Sequence, residues 1–296
     1  MNILPSEKQA AAIAAICEGV SIRTASRLLD IHQDTIGRLA LKVGQGCAAV
    51  HGKLMTDLRV SRVELDEVWS FVKKKRKNVT ENDPDTVGDQ FIYLAMDSTG
   101  KAILSWVVGK RNYRNSIRLV EDVRFRILGE PEISTDGYVP YIKAVDLAFD
   151  GKASHGIVDK QTVFLAKDGD EDGYYAKEQL VAVKRTPVSG NPRHISTSFI
   201  ERQNLTLRQS QRRLTRLSNG FSKKYENHCA AIALYATNYN FCRVHETLRI
   251  TPAMQLGVTD HVWTISELVE AALSKGAQMQ VKRALGGFHV IQGGKS

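Results

Sequence analysis

Apolar and polar positions divide the chain into a helical start, a strand-rich middle and a helical end. Over residues 1–52 the apolar positions recur at helical spacing. Ser6 with Gln9 reads as a capping box before an alanine-rich helix that ends near Cys17. Ser21 can cap a second helix, Ile22 to Leu29, and a turn at Asp30-Ile31-His32 leads to a third, from Gln33 to about Val43. Ile36, Leu39 and Val43 form one stripe of that third helix, which leaves Gln33, Asp34, Arg38 and Lys42 exposed. Helix, tight turn and polar-faced helix is the helix-turn-helix arrangement, whose last helix can enter a major groove. An ordinary three-helix bundle with a solvated face has the same pattern.

Ala48 to Leu58 reads as a helical or loose linker, after which period-two alternation takes over. Val63, Leu65, Val68, Trp69, Phe71 and Val72 bracket the acids Glu64, Asp66 and Glu67 on a first strand. A charge run, Lys73 to Asn78, follows. It suits a solvated turn or, through Lys74 and Lys75, a phosphate contact. Phe91 to Asp97 and Ala102 to Val108 flank a turn at Ser98-Thr99-Gly100, which makes an antiparallel three-strand meander. Asn115 to Leu128 has helical spacing, and Pro131 precedes a short strand that ends at Asp136. Pro140 to Phe149 is a further helix. The order strand, strand, strand, helix, strand, helix is that of a ribonuclease-H-like domain. The expected fold is therefore α/β, more exactly an α+β mixed sheet, behind an N-terminal helix-turn-helix domain. Residues 151–193 read as a loop-rich insertion, with a buried strand near Thr162 to Leu165 and another near Leu180 to Lys184. Asp168 to Asp172 lacks the spacing of a calcium loop and reads as surface. From Phe199 to Thr247 the chain is mostly helical, interrupted at Ser218-Asn219-Gly220, and Pro252 is expected to stop the helix. Thr264 to Ser274 is the last expected helix, and the end after Ala284 is expected to fray. The expected domains are 1–52, 60–256 and 257–296.

Composition narrows the partners. A net charge of +9 favours a polyanion, nucleic acid above all. Cys17, Cys47, Cys229 and Cys242 form no Cys-x-x-Cys pair, so a sequence-local zinc finger is not expected and a reducing compartment is. No signal peptide is visible, and no apolar run approaches the roughly 20 residues of a membrane span. The expectation is a soluble cytoplasmic protein with no membrane contact.

The candidate chemistry rests on three acids. Ile195 to Gln209 opens with hydroxyl residues able to cap a helix, and Glu201 follows the apolar pair Phe199-Ile200. With Asp66 and Asp136 on strands, Glu201 could converge on hard divalent cations, Mg²⁺ or Mn²⁺, which prefer carboxylate and water oxygen. Glu67 competes with Asp66, but strand alternation points the two to opposite faces, so only one is expected in the site. Asp97 reads as a turn acid, and Asp146 and Asp150 are lesser rivals. Arg208, Arg212, Arg213, Arg216, Lys223 and Lys224 form a basic stretch without an acid, suited to positioning a DNA backbone or to a solvated helix face. His245, near Asn240 and Arg243, reads better as ordering a turn than as a proton donor.

Three blocks of text resemble a known family. They are Leu65-Asp66-Glu67-Val68-Trp69-Ser70, Thr135-Asp136-Gly137-Tyr138 and Phe199-Ile200-Glu201-Arg202-Gln203-Asn204-Leu205. The match continues through Arg213-Leu214-Thr215-Arg216, Phe221 to Lys224, Glu226-Asn227-His228 and Tyr239 to Arg249. Together they resemble bacterial insertion-sequence transposases with an Asp-Asp-Glu centre, of the insertion-sequence-one type. The resemblance implies a ribonuclease-H-like catalytic core in which Asp66, Asp136 and Glu201 bind the catalytic metals. It also implies a nucleoid-associated enzyme that cuts and joins double-stranded DNA at the terminal inverted repeats of an element, acting as a homo-oligomer on that DNA. The cysteine zinc module expected ahead of the helix-turn-helix is not found. A nuclease on the same fold without strand transfer, and a non-catalytic helix-turn-helix DNA-binding protein, are the alternatives.

Overall fold

A computed structural model describes residues 4–165, 177–215 and 219–286. The acidic text from Asp168 to Asp172, Arg216, Ser218 and the end beyond residue 286 lie outside the described residues. The chain divides into two compact units. One comprises Met1–Leu58, Trp69–Phe91 and Asn204–Ser296, the other Arg59–Val68 and Ile92–Gln203.

The second unit holds most of a six-stranded mixed sheet. Its strands are β1 (Arg62–Val72), β2 (Gly88–Asp97), β3 (Ile103–Gly109), β4 (Glu132–Asp136), β5 (Ser154–Leu165) and β6 (Lys177–Ser189), in the spatial order β3-β2-β1-β4-β5-β6. Strand β4 runs parallel to β1, with Arg62 opposite Glu132 through Leu65 opposite Thr135. It also runs parallel to β5, up to Asp136 opposite Val158. Strands β5 and β6 pair antiparallel along their whole length. Their residues are exposed from Asp159 to Val163 and from Gln179 to Val188, so the short buried strands expected here are a long, solvent-exposed ribbon instead. Backbone pairing runs the length of this ribbon, and its base is paired to β4 as well. Such a ribbon leaves no apolar alternation for sequence reading to detect.

Among the described residues the helices are α1 (Ser6–Cys17), α2 (Ile22–Leu29), α3 (Gln33–Leu54), α4 (Tyr113–Arg126), α5 (Pro140–Ala148), α6 (Ser198–Ser210), α7 (Tyr225–Phe241), α8 (Pro252–Gln255), α9 (Ile265–Leu273) and α10 (Lys275–Gly286). None of them is long and apolar enough to cross a membrane.

In the first unit α1–α3 close over Ala12, Ala25, Ile31 and Ile36. Ser21 caps α2 by accepting from the Thr24 amide at 3.0 Å. The Ser6 capping box does not form: Ser6 is already helical, Pro5 stands at the cap, and Gln9 instead donates to Leu4 O at 2.6 Å. Helix α3 is twice the expected length because the Ala48 to Leu54 text continues it without a breaker. Helix α7 is buried nearly all round, from His228 to Phe241, which makes it the axis of this unit. Pro252 does not stop α7, which ends at Phe241; it starts α8 at its first turn, with Thr251 as cap. His245 orders the intervening turn, its Nδ1 accepting from the Thr247 amide at 3.3 Å.

Two glycines let α3 approach its neighbours closely. A Cβ on Gly44 would lie 2.2 Å from Ala230 O of α7, and one on Gly46 would lie 2.0 Å from Ala272 O of α9. Gly37, on the same helix, has nothing within 4 Å. Gly46→Ala should therefore destabilise the protein by about 1–3 kcal/mol through overpacking. Gly37→Ala should stabilise it by about 0.5–1 kcal/mol through lower chain entropy. Urea unfolding midpoints of the two variants check the opposite signs.

Candidate metal centre

The register of β1 against β4 decides where the acids fall. The paired stretch ends at Leu65 opposite Thr135, so Asp66 and Asp136 are the next residues on adjacent parallel strands. In-register neighbours point to the same face, which brings these two carboxylates side by side at one end of the sheet. Beneath them Thr135 Oγ1 and His155 Nε2 meet at 2.9 Å, which ties β4 to β5.

Glu67 joins them. Single carboxylate oxygens of Asp66, Glu67 and Asp136 all lie within 4.8 Å of one another. This corrects the expectation that alternation would admit only Asp66 or Glu67. Alternation sets the direction of Cβ, but a Glu carboxylate lies two carbons further out, and pairing with β4 has ended by residue 67. Asp66 Oδ1 also turns back to accept the Glu67 backbone amide at 2.7 Å.

Glu67 is held by Arg111, whose Nη2 donates to its Oε2 at 3.3 Å. The Arg111 guanidinium also lies over the Tyr138 ring, 4.0 Å from its centroid. The other Glu67 oxygen, Oε1, and the Tyr141 hydroxyl are both buried and approach each other without closing a hydrogen bond. A buried acceptor left in this condition costs about 1–3 kcal/mol. A hard cation within the three-carboxylate group would satisfy it, so the donor set fits a hard divalent cation.

Glu201 lines the same cleft, a cavity of about 630 Å³ with Asp66, Arg111, Asp136, Tyr138, Lys160 and Thr197 on its walls. It is not part of the 4.8 Å group. Lys160 of β5 donates to both of its carboxylate oxygens, and Thr197 Oγ1 donates to Oε1 at 2.6 Å. The helix start is built differently from the expected hydroxyl cap. The Phe199 and Ile200 amides donate to Glu64 Oε2, each at 2.9 Å. Burial pushes the Glu64 carboxyl up to about 6, against the pull of those two amides and of Lys101.

Of the residues expected at DNA, Gln33, Arg38 and Lys42 are exposed on α3, and Lys75, Arg212, Lys223 and Lys224 are exposed as well. Lys74 is engaged by Asp83 at 2.8 Å. Arg213 is half-buried, and its Nη1 donates to Ser222 Oγ and Asn227 O, both at 3.1 Å. That makes it a brace between segments, in place of the exposed DNA contact expected of it. Arg208 is half-buried on α6. Asp97 is the turn acid expected, accepting from the Thr99 and Gly100 amides. Sequence reading missed Glu64, Arg111 and Lys160. Only Glu64 left a signal: it stands two residues before Asp66 and so shares its face.

No family model matches the chain, and a comparison with curated proteins finds no match. Among solved structures, a piggyBac transposase synaptic complex with hairpin DNA resembles it at 11% identity and a TM-score of 0.28. That likeness covers 93% of this chain but only 64% of the other, so the chain spans less than two thirds of its length. A superposition of that quality decides neither fold nor activity.

The Glu67 carboxyl is pushed up to about 7 from an ordinary 4.5, by burial first, then by Asp136, with Arg111 opposing. Between those values the unfolded chain has released a proton that the folded chain still holds, so stability falls as pH rises. Without metal, this group should cost on the order of 3 kcal/mol across that window, at about 1.4 kcal/mol per unit. Glu67→Gln should flatten that part of the profile. Urea midpoints in EDTA, compared between about pH 5 and about pH 8, read it out.

Proposed function

We propose that this chain is a metal-dependent DNA transposase that cuts element ends and joins them to target DNA. The observation that carries the reading is the convergence of Asp66, Glu67 and Asp136 from two parallel strands, with Glu201 on the wall of the same cleft. The sheet order also supports it. The first three strands lie as neighbours and the fourth pairs parallel with the first, as expected of a ribonuclease-H-like core. The division into a helix-turn-helix region (1–52), a catalytic region (60–256) and a C-terminal region (257–296) belongs to this reading. So do element-end and target DNA as partners, and assembly into a homo-oligomer on that DNA.

Asp66, Asp136 and Glu67 would hold Mg²⁺ or Mn²⁺, and Glu201 would join them when DNA is bound. Such ions, when bound, supply activation of the attacking oxygen and stabilisation of the leaving oxygen in an in-line displacement at phosphorus. The protein's own part is orientation and charge. Arg111 keeps Glu67 turned towards Asp66 and Asp136, and its place over Tyr138 limits its freedom. Lys160 balances Glu201 before DNA arrives, and its ammonium then serves a phosphate oxygen of the strand being cut. Exposed Arg212, Lys223 and Lys224 contact backbone phosphates, and Gln33, Arg38 and Lys42 face a DNA groove.

Asp66→Asn, Asp136→Asn and Glu201→Gln should each lower metal-dependent cleavage of a DNA fragment bearing the element end by about a thousandfold or more. Loss of oriented charge at a reacting phosphoryl group is worth that much. Affinity for the same fragment should stay within about threefold, because phosphate contacts elsewhere supply it. Gel assays that score nicked, cut and joined products also separate a transposase from a nuclease that only hydrolyses. Cleavage by Asp136→Asn at the wild-type rate would remove the proposed centre.

A further inference from the structure

Helix α6 is capped in an unusual way. A hydroxyl residue just before a helix ordinarily accepts from the amides two and three positions on, here those of Phe199 and Ile200. Thr197 does not accept them; its Oγ1 donates to Glu201 Oε1. Its place is taken from the sheet by Glu64, whose Oε2 accepts both amides at 2.9 Å. Glu64 is only 3% exposed. It lies on β1 two residues before Asp66, so the strand that presents one acid of the cleft also grips the helix that presents another. A carboxylate at this position is further favoured by the positive end of the helix.

We propose that Glu64 is a positioning residue. Its carboxylate caps α6 from β1 and so fixes Glu201, the residue after the two capped amides, relative to Asp66 and Asp136. The catalytic side of this inference rests on the function proposed above; the cap itself does not. Without Glu64, the amides of Phe199 and Ile200 lose the acceptor that β1 supplies. The helix start is then no longer referenced to β1. A shift of about 1 Å in a reacting constellation is enough to cost about a hundredfold in rate.

The test uses the full chain and three variants. Glu64→Gln keeps an oxygen at the same reach, Glu64→Asp keeps the charge but shortens the reach, and Glu64→Ala removes the acceptor. Backbone amide exchange at Phe199 and Ile200 reads the cap, and should quicken about fivefold or more in Glu64→Ala and Glu64→Asp but not in Glu64→Gln. With Mn²⁺ and an element-end fragment, kcat per folded molecule should fall about a hundredfold in the same two variants with little change in KM. Glu64→Gln should restore most of it. Should Glu64→Ala fail to fold, Glu64→Asp carries the comparison alone.

Unchanged exchange in the shortened variant would overturn the cap. Faster exchange with undiminished kcat would reduce Glu64 to a stabilising contact and overturn the positioning role. A wild-type chain that neither binds Mn²⁺ nor cuts DNA would sink the enzymatic reading and the positioning role with it. Amide exchange would still report on the cap, so the two failures are told apart.

Discussion

The parallel pairing of β1 with β4 is the constraint on which the site depends. It runs from Arg62 opposite Glu132 to Leu65 opposite Thr135 and stops one step before Asp66 and Asp136. Each added residue of pairing would have placed those carboxylates within the sheet, where flanking side chains crowd them. Each one fewer would have let the strands diverge beneath them. A slip of one residue in this register would turn Asp136 to the opposite face from Asp66 and dissolve the group. The apolar residues that lock the register, Val63, Leu65 and Ile133, are about 1% exposed, so the acids stand next to a well-packed part of the core.

The repulsion among those acids has to be offset locally. Asp66, Asp136 and Glu201 face one cleft in which Arg111 and Lys160 are the cations on the walls, and Glu67 lies buried against the first two. Burial of Glu67 raises its proton affinity, and Arg111 works against that rise without cancelling it. The site thus carries an electrostatic cost that the apolar core beside it does not.

How much of this was readable in the sequence follows from what each feature depends on. The core strand around Asp66 was legible because it is flanked by apolar residues at period two, and the one ending at Asp136 because Pro131 and Gly137 bound it. Helix α4 was legible from Ile117, Val120, Val123 and Ile127. Asp66 and Asp136 were singled out as acids embedded in such text, and the structure brings these two together. Glu67 was set aside because alternation describes strand interiors, and it stands where pairing with β4 has stopped. Lys160 and the long β5–β6 ribbon were hidden by the Gly- and Pro-rich text around them, since an exposed ribbon carries no apolar pattern. Arg213 illustrates the opposite failure. Its basic neighbours suggested solvent and phosphate, yet its guanidinium is occupied by Ser222 and Asn227. Charge runs report composition, whereas the partner of each member is set by contacts distant in sequence.

The position of Glu201 follows from the same electrostatics. Two unit charges 4 Å apart interact by about 4 kcal/mol at the effective dielectric of a partly exposed site. Moving a further carboxylate into the group of Asp66, Glu67 and Asp136 without a cation would add several such repulsions at once. Glu201 instead takes the ammonium of Lys160 and the hydroxyl of Thr197, at the edge of the same cleft. The arrangement with three acids gathered and a fourth held back by a lysine is therefore the low-energy state of the protein alone. On the function proposed above, a divalent cation held by the three acids would offset that repulsion and lower the cost of bringing Glu201 closer. The backbone that such an approach would need, from the β1–β4 register to the Glu64 grip on α6, is already in place.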